Sequence, residues 1–169
     1  MDRLERVREE VDSILFRLVS DEDRRCGFVH LYGVSDAATE LAIRRRLDPE
    51  LAAVAGVLHD LATYASGDSA DHARRSSELG ALLLDELGLF TKDEIQTIAS
   101  AIAKHRDKAS VDGPMEELLK DADVLQHWLY NPGLPPQASH AERRERLTRE
   151  LAPEPELPFT AEHAESAED

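Results

Sequence analysis

Apolar residues recur at intervals of three and four along most of the chain, and this spacing predicts amphipathic helices. A clear example is the first stripe, formed by Val7, Val11, Ile14 and Leu18. No stretch shows the sustained alternation of apolar and polar residues that a half-buried strand needs. We therefore expect an all-α fold, a single helical bundle of about six to seven helices.

Polar, proline-containing and glycine-containing segments mark where these helices begin and end. Asp48-Pro49 combines a capping side chain with a proline at the first helical position. Gly67 is typical of a helix C-terminal end, and Thr91–Glu94 matches a capping box. The sequence NPGLPP, residues 131–136, is a stop signal. The later helices are predicted over about 21–46, 49–66, 72–88, 91–105, 115–130 and 140–151.

Composition narrows the classes of partner and the compartment. The chain has 20 Lys+Arg against 35 Asp+Glu, a net charge of −15. This charge argues against a nucleic-acid polymer or an anionic membrane as the main partner. No apolar run approaches the roughly 20 residues that span a bilayer. The single cysteine, Cys26, is expected to be buried and excludes an intrachain disulfide, which favours a cytoplasmic protein.

The C-terminal segment differs in composition from the rest of the chain. Residues 152–169 are acidic and contain prolines, a composition typical of disorder, whereas residues 1–151 carry the helical pattern. We expect one domain over 1–151. The tail is expected to dock on that domain or on a neighbouring copy, as in a homodimer.

The segment from Leu51 to Ala62 is apolar on every side except for an adjacent histidine and aspartate, His59 and Asp60. A helix that is apolar all round belongs in a core. Burying an imidazole and a carboxylate there costs several kcal/mol unless a strong partner satisfies them.

Three further histidines lie in phase with the apolar stripes of their own helices: His30, His72 and His105. A single in-phase histidine is ordinarily a hydrogen-bonded core residue. Four of them on four helices, counting His59, would each need a separate partner. A divalent metal satisfies several nitrogens and carboxylate oxygens at one point, so the sequence predicts a mixed His/Asp metal site inside the bundle.

The predicted helix over 115–130 offers two aspartates, and its periodicity does not choose firmly between them. Asp121 lies nearer the apolar stripe of Leu118, Ala122 and Leu125 than Asp123 does. Either aspartate could be a metal ligand or a solvated flank, and periodicity slightly favours Asp121.

The ordered set of these residues resembles the HD-domain superfamily of metal-dependent phosphohydrolases, over roughly residues 25–130. The resemblance rests on His30 in GFVHLYGV, on His59-Asp60 in GVLHDLATY, and on Asp123 in DADVL. It implies that these four residues bind metal. It selects Asp123 rather than Asp121, because the family places its aspartate directly after an alanine.

Members with two further histidines between the His-Asp pair and the last aspartate build a two-metal site, and His72 and His105 occupy those places here. The combination is similar to bacterial HD hydrolases acting on dinucleoside tetraphosphates and to di-iron HD oxygenases. The resemblance thus implies one or two divalent ions per chain, with Fe, Mn, Ni, Co, Zn and Mg all left open, and with Asp60 as the expected bridge between two ions.

The activity implied is hydrolysis of a small nucleotide or other phosphorylated metabolite, with dinucleoside polyphosphates among the candidate substrates, by metal-activated water. Asp60, Arg106 and Lys108 are the expected catalytic residues, the last two as cationic donors to phosphate oxygens. The alternative interpretation of KHRDK, residues 104–108, is a charged helix end. The alternative functions are a di-iron oxygenase and a non-catalytic module that binds a nucleotide or a metal.

Overall fold

Eight α-helices follow one another along the described part of the chain, residues 2–18 and 20–152 of the computed structural model, and these ranges contain no strand. The helices are α1 Arg3–Leu15, α2 Asp21–Arg45, α3 Pro49–Leu58, α4 Leu61–Ser66, α5 His72–Leu87, α6 Lys92–Lys104, α7 Pro114–Tyr130 and α8 Ala138–Glu150. The all-α prediction is confirmed. None of these helices is both long and apolar enough to cross a membrane. The predicted tail lies almost entirely outside the described residues.

The structure has more helices than the sequence predicted, because the expected helix over 49–66 is interrupted at its His-Asp pair. His59 ends α3, and Asp60 leaves helical geometry with φ −117° and ψ 14° before α4 begins. The carbonyl of Gly56 accepts a hydrogen bond from Nδ1 of His59 (2.7 Å) at this break. A pattern of apolar residues does not reveal such a break, since both helices remain buried across it.

The capping signals read from the sequence are confirmed. The Asp48 side chain accepts hydrogen bonds from two backbone amides of the first turn of α3, with Pro49 following. Thr91 and Glu94 form a reciprocal capping box at α6. Gly67 ends α4 in the left-handed region, at φ 70°. The expected burial of Cys26 is wrong, because this cysteine is exposed on α2.

Helix α3 lies at the centre of the bundle and contacts α1, α2, α5, α6 and α7. Its close approach to α2 depends on Gly56, where a Cβ atom would come within 2.6 Å of the Ser35 backbone. The Ser35 hydroxyl donates to the carbonyl of Ala53 (3.0 Å) across the same interface. This packing brings the C-terminal end of α3 against the middle of α2, which carries His30.

Helix α8 is held on α7 by buried charges. The carboxylate of Asp121 accepts hydrogen bonds from Arg45 of α2 and Arg143 of α8, both at 2.8 Å. Arg143 also pairs with Glu117 (2.9 Å), and Arg45 with Glu150 (2.7 Å). Asp121 is therefore a structural residue that joins three helices.

Candidate metal centre

Four side chains from α2, α7 and the break between α3 and α4 converge at one point. Nε2 of His30 and Nε2 of His59 lie 3.1 Å apart, and each lies 3.6 Å from Oδ2 of Asp60. Oδ1 of Asp123 lies 3.8 Å from His30 and 4.0 Å from His59. The atoms of His30, His59 and Asp60 are close enough together to contact one ion, and Asp123 forms a further trio of this kind with His30 and His127.

A second group lies on the other side of the Asp60 carboxylate. Oδ1 of Asp60 lies 3.5 Å from Nε2 of His72, the first residue of α5, and 3.4 Å from Nε2 of His105 at the end of α6. The two oxygens of Asp60 thus face two different pairs of imidazoles. The residue before His72, Asp71, has a positive φ of 49°, which is uncommon for a residue other than glycine.

The same local contact orients three of these histidines. In each, Nδ1–H donates to the carbonyl three residues earlier: Gly56 for His59 (2.7 Å), Ile102 for His105 (2.7 Å) and Ser69 for His72 (3.0 Å). Because Nδ1 carries the proton in a neutral ring, Nε2 presents a lone pair to the centre. Contacts from Nδ1 to a carbonyl are the usual way in which proteins orient metal-binding histidines.

The fourth histidine is oriented by a side chain rather than by the backbone. Nδ1–H of His30 donates to Oε1 of Gln126 (2.9 Å), and the Gln126 amide donates to the carbonyl of Val29 (3.4 Å). A Cβ atom at Gly33 would lie 2.8 Å from the Gln126 side chain, so this glycine leaves the room that the amide occupies. Gln126 therefore fixes the direction of the His30 ring.

This arrangement fits a cation. The Nε2 lone pairs of His30 and His59 face each other, and Oδ1 of Asp60 is buried without a hydrogen-bond donor although it faces His72 and His105. Buried acceptors directed at one another are unfavourable unless a proton or a cation lies between them. Nitrogen and carboxylate ligands in this mixture suit first-row transition metals.

The pKa values of His59, Asp60 and Asp123 favour the forms that bind metal. The pKa of His30 is raised instead, because the effect of its burial is outweighed by the facing carboxylates, Asp60 foremost. Burial lowers the pKa of His59 to about 3, so its ring is neutral. Burial by itself would raise the pKa of Asp60, but the facing imidazoles, His59 foremost, hold it well below its usual range. Burial would likewise raise the pKa of Asp123, but nearby groups, the Lys108 ammonium foremost, hold it below its usual range. Ionised carboxylates and a neutral imidazole are the forms that bind metal.

Lys108 is a buried cation at the edge of the centre. Its ammonium donates to Oδ2 of Asp123 (2.5 Å) and to the carbonyl of His105 (2.7 Å). Arg143 of α8 donates to the Lys108 carbonyl (3.0 Å), which ties the loop after α6 to α8. Arg106 is exposed, and its side chain makes none of the hydrogen bonds or ion pairs found among residues 2–18 and 20–152. The structure thus brings Lys108 to the centre and leaves Arg106 in solvent.

All six predicted metal ligands lie in the two groups described above, whereas Asp121 faces the arginines of α2 and α8. The sequence assigns no role to Gln126. For His127, four residues beyond Asp123, an exposed or core position is expected from the sequence in preference to one that lines a pocket. The structure places Nε2 of His127 at 3.4 Å from Oδ1 of Asp123 and its ring 5.0 Å from that of His30. The sequence feature that indicates this position is spacing, because residue 127 lies one helical turn beyond Asp123 and two such residues are neighbours on a helix surface.

The centre opens to solvent through a cavity of about 400 Å³. His30 and Asp60 lie at its inner end, and Tyr64, Tyr130 and His127 are among the other lining residues. A small substrate can therefore reach the candidate ligands directly.

Three comparisons place these features among known proteins. Residues 27–128 match the family model described as HD domain. The chain is 32% identical over 104 residues to ribonuclease Y of Chlorobium luteolum, a match that covers 62% of this chain and 18% of that relative. The match therefore spans less than a fifth of the length of that protein.

Among solved structures, the fold is similar to that of a predicted HD superfamily hydrolase from an uncultured Thermotogales bacterium. The TM-score is 0.58 at 22% identity, covering 83% of this chain and 85% of the other. At this identity the likeness establishes the fold. The match to the family model includes every candidate ligand but leaves out α1 and α8.

Proposed function

The chain belongs to the HD domain family, and from that premise we propose that it is a metal-dependent phosphohydrolase acting on a small phosphorylated substrate. The observation that carries the proposal is the shared carboxylate of Asp60, whose two oxygens face two separate pairs of histidines. This arrangement can hold two ions side by side. Bound divalent ions would supply activated water at neutral pH and would offset the charge on phosphoryl oxygens.

In this proposal the protein's own groups position the substrate and the ligands. Asp60 would hold both ions, with His30, His59 and Asp123 on one side and His72 and His105 on the other. Lys108 lies beside Asp123 with a buried ammonium, and it donates to phosphoryl oxygens when substrate is bound. His127, half exposed beside Asp123, lies where a proton can be passed to a leaving oxygen.

The substrate class follows from charge and from the size of the opening. With a net charge of −15 the protein repels long nucleic acids, and a small nucleotide or phosphorylated metabolite is therefore the preferred substrate. The likeness to ribonuclease Y favours one alternative within the same chemistry, the phosphodiester of a short RNA. Di-iron oxygenase activity would use the same ligands and is distinguished by its consumption of dioxygen.

Metal analysis of the purified protein, followed by an activity screen, tests the proposal. The screen measures phosphate release from nucleoside phosphates, dinucleoside polyphosphates and phosphorylated sugars, cleavage of a short RNA, and oxygen consumption in parallel. We expect phosphate release that disappears on chelation and returns when metal is added. Oxygen uptake without phosphate release would replace the proposal with an oxygenase, and nucleotide binding without either would replace it with a regulatory module.

Replacing His72 and His105 together by alanine tests the number of ions. Because the two imidazoles form one of the two groups, we expect the double variant to bind about half the metal of the parent and to lose turnover. The measurement is metal content per chain by elemental analysis. An unchanged metal content with a raised KM would show instead that these histidines bind phosphate around a single ion.

A matched control replaces exposed cations on the same two helices, Arg74 of α5 and Lys92 of α6, by alanine. These side chains pair only with exposed acidic residues, so metal content and turnover should match the parent.

A further inference from the structure

A second cavity adjoins the candidate metal centre and is not part of it. It has a volume of about 190 Å³ and lies between the end of α7, the following loop and α8. His127 and Asn131 line both this cavity and the opening of the centre. A bound molecule could therefore extend from the metal ligands into the second cavity past these two side chains.

Contacts of Arg144 connect the segments of the chain that form the wall of this cavity. The guanidinium of Arg144 lies 4.7 Å from the ring centroid of Trp128 and donates to the carbonyl of Leu134 (3.1 Å). These contacts join α7, the loop and α8. Prolines at positions 132, 135 and 136 restrict the loop backbone, which lowers the entropy lost on binding.

The lining has the character of a site for a flat heterocycle. Trp128 supplies an aromatic surface, Leu134 and the prolines supply apolar contacts, and Asn131 and Gln137 supply amide donors and acceptors. Arg144 is the one Lys or Arg among the lining residues, and its guanidinium already contacts Trp128 and Leu134. A second phosphate-binding site would need more cationic donors than this.

We propose that the Trp128 cavity binds the nucleobase of a small nucleotide whose phosphate lies at the metal centre. This inference rests on the proposed function, since it names the substrate class of the same site. Its geometric basis is His127, which lines the cavity and lies 3.4 Å from Asp123 of the centre. Much of the wall comes from residues 131–144, beyond the region that matches the family model, and the base specificity is thus a property of this chain.

The chain has one tryptophan and three tyrosines, so fluorescence excited at wavelengths that only tryptophan absorbs reports on this cavity. Titrating the metal-free protein with adenosine should quench the fluorescence to saturation, whereas ribose and ribose 5-phosphate should leave it unchanged. This binding test needs neither metal nor turnover, and it therefore succeeds or fails independently of the proposed hydrolysis. Absence of saturable quenching by adenosine, guanosine, cytidine and uridine would overturn the inference.

Variants of Trp128 give a second measure in the metal-loaded protein. Trp128→Leu should lower kcat/KM for a nucleoside phosphate by about 10- to 100-fold, the range for loss of one aromatic–base stack. Activity on ribose 5-phosphate should not change, and Trp128→Phe should retain most of the preference for nucleotides. An equal loss on both substrates would show that Trp128 acts through the fold.

Leu82→Ala is the control, because this leucine is exposed on the distant α5, and both activities should be preserved.

Adding a short oligoribonucleotide to the fluorescence titration distinguishes a small nucleotide from the end of an RNA chain as the source of the bound base. Affinity at least tenfold above that of adenosine monophosphate would assign the cavity to an RNA end and overturn the proposal of a small nucleotide.

Discussion

Asp60→Asn should abolish metal binding at the shared position and lower kcat/KM by more than about 100-fold, since even the outer partners of metal ligands are worth about 10- to 100-fold. The asparagine has the shape of the aspartate but no negative charge, and only one of its two terminal atoms can bind a cation. Because each oxygen of Asp60 faces its own pair of histidines, one substitution affects both groups.

The same substitution should leave the fold of the metal-free protein intact. The amide keeps the shape of the carboxylate and removes the buried Oδ1 that lacks a hydrogen-bond donor, but it also loses the favourable contact of the ionised carboxylate with the facing imidazoles. The melting temperature of the metal-free variant should therefore stay close to that of the parent. The added stability that metal gives the parent, about 2.7 kcal/mol at 100 times Kd, should be absent. Calorimetry with and without metal measures both quantities.

Asp85→Asn is the matched control for this experiment, because Asp85 is exposed and pairs with Lys92 far from the centre. It should retain the metal content and activity of the parent. Full metal content and turnover in Asp60→Asn would place the active centre elsewhere in the chain.

Asp121→Ala and Asp123→Ala should differ in their effect on metal binding, although the two aspartates are separated by one residue and both are buried. Removing Asp121 leaves the guanidinium groups of Arg45 and Arg143 partly unpaired. Loss of one partner of a buried ion pair costs about 3–5 kcal/mol, and we expect about 3 because Glu117 and Glu150 remain as partners. For a chain of this size the melting temperature should fall by about 6–12 °C.

Asp123→Ala should lose turnover and metal affinity, which Asp121→Ala should keep while it is folded. Removal of the Asp123 carboxylate leaves the buried Lys108 ammonium with only the carbonyl of His105, so the metal-free protein should lose stability as well. Thermal unfolding of the metal-free variants and metal titration of the folded ones measure the two effects separately. A stable Asp121→Ala that fails to bind metal would exchange the roles assigned to these residues.

The positions of the helices and of most of their ends follow from local patterns in the sequence. Capping depends on contacts within a few residues, and for that reason Asp48, Thr91 and Gly67 could be interpreted without the rest of the structure. The four in-phase histidines could likewise be selected, because an imidazole on an apolar face must be buried and must find a partner. The prediction that such partners share one point came from the chemistry of metal ions.

The choice between Asp121 and Asp123 could not come from periodicity. Helix α7 is covered on several sides, by α2, α3, α6 and α8, so both carboxylates are buried and the apolar stripe does not distinguish them. Only the packing of α8 shows that the arginines lie on the Asp121 side. The resemblance to the family selected Asp123, and this choice agrees with the position of its carboxylate beside His30 and His59.

Contacts between distant parts of the chain decided the remaining features. Lys108 and Arg106 look alike in a charged segment, yet the loop after α6 buries one and exposes the other. Gln126 orients His30 across 96 residues of sequence, and a polar residue on a helix gives no local sign of such a partner. Local patterns determined which side chains had to be buried, because helix formation and burial act over neighbouring residues. Only the tertiary structure determined which buried groups face each other, because that depends on how whole helices pack.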